Sequence, residues 1–240
     1  MSRYLSKFFI LIFAIVFTLI IYLSYFGIET NKFDDLIIKK ANELNKNVKL
    51  ELDKTKIYLN VKKLNFIIKI QDPKIVIKNE KINLTKLNFF LSIKSFVKSD
   101  FLLTKAELAF RKNDIKDLTK ISRIFLPTII NKQLVKVFEK GSLEGELVIP
   151  FELDGKIGKN YKFLGKILDA TIKINNEISI KNLTTDINYN NEFRFDGFNA
   201  TISKANIYDL RLDGSSINLV NDTNQTKVKS FLHTVGKFKF

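Results

Sequence analysis

A catalytic or metal-binding reading of this chain has to start from one histidine and no cysteine. His233 stands in the strand-like stretch VKSFLHTVG, with no second imidazole to join it in a metal site and nothing to build a His-based triad around it. It is read as an ordinary strand residue. The lack of Cys excludes thiolate metal sites and disulfides, so stability has to come from hydrogen-bonded secondary structure and burial. Gly141 and Gly145 in GSLEGEL lack the Lys-Ser/Thr of a phosphate loop, and Gly155 and Gly158 lack the third glycine of a dinucleotide site. All four are read as turn glycines. The carboxylates of Asp154, Asp196 and Asp213 each precede a glycine, where a turn accounts for them. The chain is therefore expected to catalyse nothing and to hold neither cofactor nor metal.

The formal net charge of +15 raises nucleic acid as a partner, but its make-up argues against one. Five of the 40 basic residues are arginines (Arg3, Arg111, Arg123, Arg194, Arg211) and the other 35 are lysines, whereas phosphate and base recognition lean on the guanidinium fork. Lys54, Lys56, Lys62, Lys69 and Lys78 are scattered singly through strand-like stretches, as on a solvated face. What remains is a weak attraction to anionic lipid headgroups.

The elements that would position any site begin with the apolar run from Phe8 to Ile28, which contains no charged side chain. At about 1.5 Å per residue such a helix covers roughly 30 Å, the thickness of a bilayer's hydrocarbon core. Bulky Tyr25 and Phe26 stand where a signal-peptidase site needs small residues, so the run is read as an uncleaved anchor. Phe8, Phe13, Phe17 and Ile21 would face lipid, with Tyr22 and Tyr25 at headgroup level. Arg3 and Lys7 precede the span, and a long folded domain translocates largely regardless of its charge, which places residues 1–7 in the cytoplasm and 29–240 outside it.

In residues 29–46, Phe33, Leu36, Ile37, Ala41 and Leu44 fall on one face of a helix that Thr30 or Asn31 would cap. That stripe would lie on the membrane or plug the start of the strand region after it. From Val48 the period becomes two, and residues 47–112 read as a first strand meander. Its apolar positions are Leu50 and Leu52, then Ile57, Leu59 and Val61, then Leu64, Phe66, Ile68 and Ile70 after a bulge or bend near Lys62-Lys63. Pro73 interrupts pairing before Ile75 and Ile77, and Leu87, Phe89 and Leu91 give another run, as do Ala106, Leu108 and Phe110. Residues 113–140 read as a helical insertion with Gly141 as its C-cap. A second meander, 141–240, opens with Leu147, Ile149 and Phe151 and is punctuated by Asp154-Gly155, Asn175-Asn176, Asn190-Asn191, Asp196-Gly197 and Asp213-Gly214. The chain stops at GKFKF in mid-pattern, as a truncated product or a fragment would.

About eleven strands spaced about 4.8 Å apart leave some thirty apolar groups on one face, worth on the order of 50–100 kcal/mol to hide. Two modest helices cannot cover them. The sheet has to close on itself as a sandwich or barrel, pair with another chain, or curl into a trough that accepts acyl chains.

The span, the helix KFDDLIIKKANEL, the meander opening VKLELDKTKIYLNVKKLNF, the DP turn before IVI, the FLSIKSFVKSDFLLTKAEL connection and GSLEGEL followed by hairpins together resemble the AsmA-like family of bacterial envelope proteins, which is similar in build to TamB-like and bridge-like lipid transfer proteins. The resemblance covers about residues 1–220 and is one of architecture and apolar pattern. It implies a mainly β fold with an N-terminal transmembrane helix, its long curved antiparallel sheet forming a taco-like groove. It also implies a single-pass inner-membrane anchor, a periplasmic bulk, and phospholipid moving toward the outer membrane along a groove lined by the apolar residues named above from Leu50 to Leu91 and from Leu147 to Phe151. The alternative is a periplasmic scaffold for outer-membrane or other envelope proteins, pairing through a sheet edge.

Overall fold

The structure is a computed structural model that describes residues 2–44, 46–77, 80–93, 102–122, 135–158, 160–190, 198–208, 210–222 and 225–236. Helix α1 (Ser2–Tyr25) is followed by β1 (Ile28–Glu29), α2 (Asp34–Leu44), β2 (Val48–Glu51), β3 (Lys54–Asn60), β4 (Asn65–Gln71), β5 (Lys74–Ile77), β6 (Glu80–Ser92) and β7 (Leu103–Asp114). Helix α3 (Ile115–Ser122) precedes β8 (Phe138–Pro150), β9 (Lys162–Lys173), β10 (Ser179–Asn190), β11 (Phe198–Ile207), β12 (Leu210–Leu212), β13 (Ser215–Asp222), β14 (Gln225–Phe231) and β15 (Thr234–Val235).

Helix α1 is apolar enough over Tyr4–Tyr25 to cross a membrane, with a mean hydropathy of 2.6 and none of its apolar window buried in the protein. It stops at Tyr25, not at Ile28 as the apolar run suggests, because the backbone turns left-handed at Gly27 (φ +67°). The amides of Phe26 and Gly27 both donate to the Tyr22 carbonyl, closing the helix end. Ile28 and Glu29 are then extended and pair antiparallel with Ile57 and Lys56.

Among the described residues all the strands belong to one fifteen-stranded sheet in which every pairing is antiparallel. The main path runs β1-β3-β4-β6-β7-β8-β9-β10-β11, so from β6 onward each strand lies beside its neighbour in sequence. The long β6 forks: its second half pairs with β4 and its first half with β5, which pairs in turn with β2. At the far end β11 forks in the same way, to β12 and to β13.

Fifteen strands replace the about eleven expected because elements as short as β1 and β15, two residues each, are too brief to give a pattern of their own. The bulge or bend expected near Lys62-Lys63 is a four-residue turn, 61–64, that puts Val61 and Leu64 outside the strands; Leu64 has φ +47°. The Asn60 side chain caps it, its Oδ1 accepting from the Lys63 amide at 3.2 Å. The helical insertion is shorter than 113–140 within the described residues. Asn113 and Asp114 end β7, and Phe138 to Lys140 already belong to β8. Gly141 is accordingly no helix cap. It sits in β8 with φ +134° at a register shift against β9, where an added Cβ would stand 2.6 Å from that of Ala170. Gly145 is likewise a strand residue, opposite Gly165. Asp154-Gly155, Asn175-Asn176 and Asp213-Gly214 are turns as expected, whereas Asn191 and Asp196-Gly197 lie outside the described residues.

Two glycines separate backbone strain from crowding. Gly27 and Gly214 both have positive φ, but a Cβ at Gly27 would meet the Ile57 carbonyl oxygen at 2.8 Å and the Tyr58 ring at 3.0 Å, whereas one at Gly214 meets nothing within 4 Å. Gly214→Ala should therefore cost about 1–2 kcal/mol from the left-handed backbone alone, and Gly27→Ala clearly more. Thermal melts of the full chain in detergent check the order; equal losses would mean that the junction between α1 and β3 is loose.

Candidate functional site

Side chains of residues paired across an antiparallel sheet lie on the same face, so the register maps each face directly. One row begins three residues past α1 and runs Ile28, Ile57, Ile68, Phe89, Ala106, Ile149. The next crosses eight strands from β3 to β11: Thr55, Ile70, Leu87, Leu108, Leu147, Phe163, Tyr189, Phe198. Seven intervals of about 4.8 Å give this row a length of roughly 34 Å. Its polar side-chain atoms are the hydroxyls of Thr55, which donates to Asp34 Oδ1 at 2.6 Å, and of Tyr189.

The two ends of this face are covered differently. At the β3–β7 end α2 lies over it, with Ile37 only 2 % exposed, and the β2–β5 arm packs Leu50, Ile75 and Ile77 against Ile68, Ile70, Leu87 and Leu91. These seven expected lining residues are closed into a core. Leu52, Ile57, Phe66, Phe89 and Phe151 are half-buried against the same cluster. Of the two options for the stripe on α2, the structure has it plugging the start of the sheet. Leu59 is half-buried beside α1, and Val61 and Leu64 are exposed on the β3–β4 turn.

Toward β8–β11 the cover thins among the described residues. Helix α3 puts Ile115 into a second core with Ile167, Ala170, Leu183 and Ile202, while Leu118 reaches back to the first. Beneath α3 an apolar cleft of about 230 Å³ is lined by Leu118, Phe138, Leu143, Phe163, Ile167 and Ile187. Leu147 and Ile149, the last two of the expected lining, are half-buried on this face, as are Phe163, Tyr189 and Phe198. Tyr161 stacks on Tyr189 with ring centroids 5.3 Å apart, and burial together with that hydrogen-bonding neighbour pushes the Tyr189 hydroxyl up to about 12. Phe163 is absent from the sequence-based lining because Gly165 breaks the alternation of Tyr161, Phe163 and Ile167. The ring needs that glycine, since a Cβ at Gly165 would stand 2.4 Å from it.

The opposite face is polar. Its matching row runs Lys56, Lys69, Asn88, Glu107, Val148, Lys162. Lys86 and Lys105 reach Glu107 at 2.9 and 2.6 Å, and Lys105 also lies 4.0 Å over the Phe90 ring. Burial pushes the Glu107 carboxyl up, but the hydrogen bonds from Lys105 and Lys86 outweigh it and hold the group below its ordinary value. His233, expected within a strand, lies in the link between β14 and β15, exposed, with its amide on the buried hydroxyl of Ser215 and its Nδ1 3.2 Å from the Asp213 carbonyl. Among the described residues no group of three or more His, Asp or Glu side chains is placed to hold a metal ion.

The chain matches no known protein-family model, no curated protein and no solved structure. Its site is defined by its own geometry: among the described residues, an apolar face sealed at one end and thinly covered at the other.

That division has two measurable consequences. Ile68→Ala, at a position 1 % exposed, should cost about 2–5 kcal/mol in denaturant unfolding, while Ile149→Ala at its half-buried site should cost less than half as much. Glu107 binds its proton less readily folded than unfolded, so its contribution is complete above the ordinary value near 4.5 and is lost as pH falls through the lowered one. Melting temperatures of Glu107→Gln between pH 6 and about 3 should show a shallower acid slope than those of the parent chain.

Proposed function

We propose that this chain is a membrane-anchored, AsmA-like protein of the bacterial envelope that carries phospholipid acyl chains on the apolar face of its sheet. The observation supporting this most directly is a pair of adjacent rows on one face, the first running from Ile28, three residues past a helix of membrane-spanning length, to Ile149 in β8, and the second carrying on through Leu147 to Phe198 in β11. An acyl chain has no groups that demand directional partners, so a row of Leu, Ile and Phe side chains without buried charge is the surface it requires. Of the expected lining, the acyl-bearing part is Leu147 and Ile149, joined by Phe163, Tyr189 and Phe198; the positions under α2 and the β2–β5 arm hold that surface in place. Arg3 and Lys7 before the span favour a cytoplasmic N-terminus, with the sheet in the periplasm of the inner membrane. Headgroup selectivity should be weak, because the row recognises hydrocarbon.

Photo-crosslinking the full chain with a phospholipid bearing a diazirine on its acyl chain tests the proposal. Adducts are expected on peptides from β8–β11 as well as on α1. Phe163→Asp should reduce the sheet adducts several-fold and leave those on α1 unchanged, while Leu153→Asp, at a turn position 90 % exposed, should change neither. Adducts confined to α1 in the parent chain would overturn the reading.

A further inference from the structure

Beside α1 the β3–β4 hairpin runs back along the helix. Ile28 is level with Ile57, and because the strands are antiparallel, residues after Ile57 return toward the N-terminal end of α1. Lys62, at the tip of the hairpin, and Phe17, about two turns of helix before the end of α1, are found together, lining one cleft of about 520 Å³ with Ile20, Ile21, Tyr58 and Val61. The tip of the hairpin thus lies deeper along the helix than Tyr25.

The composition of that tip suits such a depth. Val61 and Leu64 are 49 % and 65 % exposed, and the left-handed backbone at Leu64 holds its side chain clear of the strands. Between them stand Lys62 and Lys63, both exposed. Among the described residues the only charged groups in the cleft lining are Lys62 and Lys69, both cations, with Lys69 resting 4.3 Å over the Tyr58 ring. Long lysine stems let apolar neighbours sink while the ammonium stays at phosphate level.

We propose that the turn at Val61–Leu64 is a second membrane contact, entering the leaflet from which α1 emerges, with Val61 and Leu64 among acyl chains and Lys62 and Lys63 against the phosphates of anionic phospholipid. This rests on α1 being a membrane span, and it is independent of whether the sheet carries lipid. The occupant is a bilayer, because the surface is continuous with the apolar helix and its described charges there are all positive.

The absence of native cysteine makes the test direct. The full chain carrying Leu64→Cys, Val61→Cys, Asp53→Cys or Phe13→Cys is labelled with an environment-sensitive nitrobenzoxadiazole. It is then reconstituted in vesicles of phosphatidylcholine and phosphatidylglycerol at 7:3. Lipids spin-labelled high on the acyl chain should quench positions 61 and 64 at least threefold more than position 53, and aqueous iodide should quench position 53 instead. Removing phosphatidylglycerol should weaken quenching at 61 and 64 without altering position 13. If 61 and 64 follow position 53 while 13 is lipid-quenched, the hairpin contact is refuted and the anchor stands. If position 13 is reached by iodide, the anchor fails and the contact with it.

Discussion

One face of this sheet carries more hydrocarbon than the described helices can hide, and the irregular parts of the fold are placed where that shortage is met. Helix α2 and the β2–β5 arm close the end next to α1 around Ile68, and α3 spans the two cores with Leu118 on one and Ile115 on the other. The fork in β6 has the same cause: a strand that pairs with β4 over half its length and with β5 over the other half places part of the sheet opposite the rest. Among the described residues, what this arrangement leaves thinly covered is the cross-strand row from Leu147 to Phe198, where aromatic rings stand half-buried.

The polar face shows how a strongly basic chain builds an ordered sheet. Lysines alternate with apolar residues along the strands and therefore gather on one side, where their like charges would repel. Asn88 separates Lys69 from Glu107, and Glu107 draws in two ammonium groups, while the Phe90 and Tyr58 rings accept Lys105 and Lys69. Charge is dispersed over this wall rather than focused at one point.

Period-two alternation made most of the strands legible, and Asp-Gly and Asn-Asn pairs marked several of their ends. Length made α1 legible, and a single face of spacing 3.6 made α2 legible. The pattern failed where tertiary contact decides. Gly141 reads as a helix cap by composition, yet its lack of a Cβ serves the close passage of Ala170 in β9. Ile28 continues an apolar run but pairs as a strand, because Gly27 has already reversed the helix. Phe163 was hidden by Gly165, and the sealing of Ile68, Ile70 and Leu87 could not be read because alternation says which face a residue is on but not what lies over it.

From β6 to β11 each strand on the main path hydrogen-bonds to the strands before and after it along that path. Such an arrangement has no closing seam among the described strands, so a hairpin added or removed beyond β11 would leave every earlier pairing as it is. Each added hairpin would extend its reach by about 10 Å. The architecture is in that sense a ladder with α1 at one end, its reach set by the number of hairpins that follow β11.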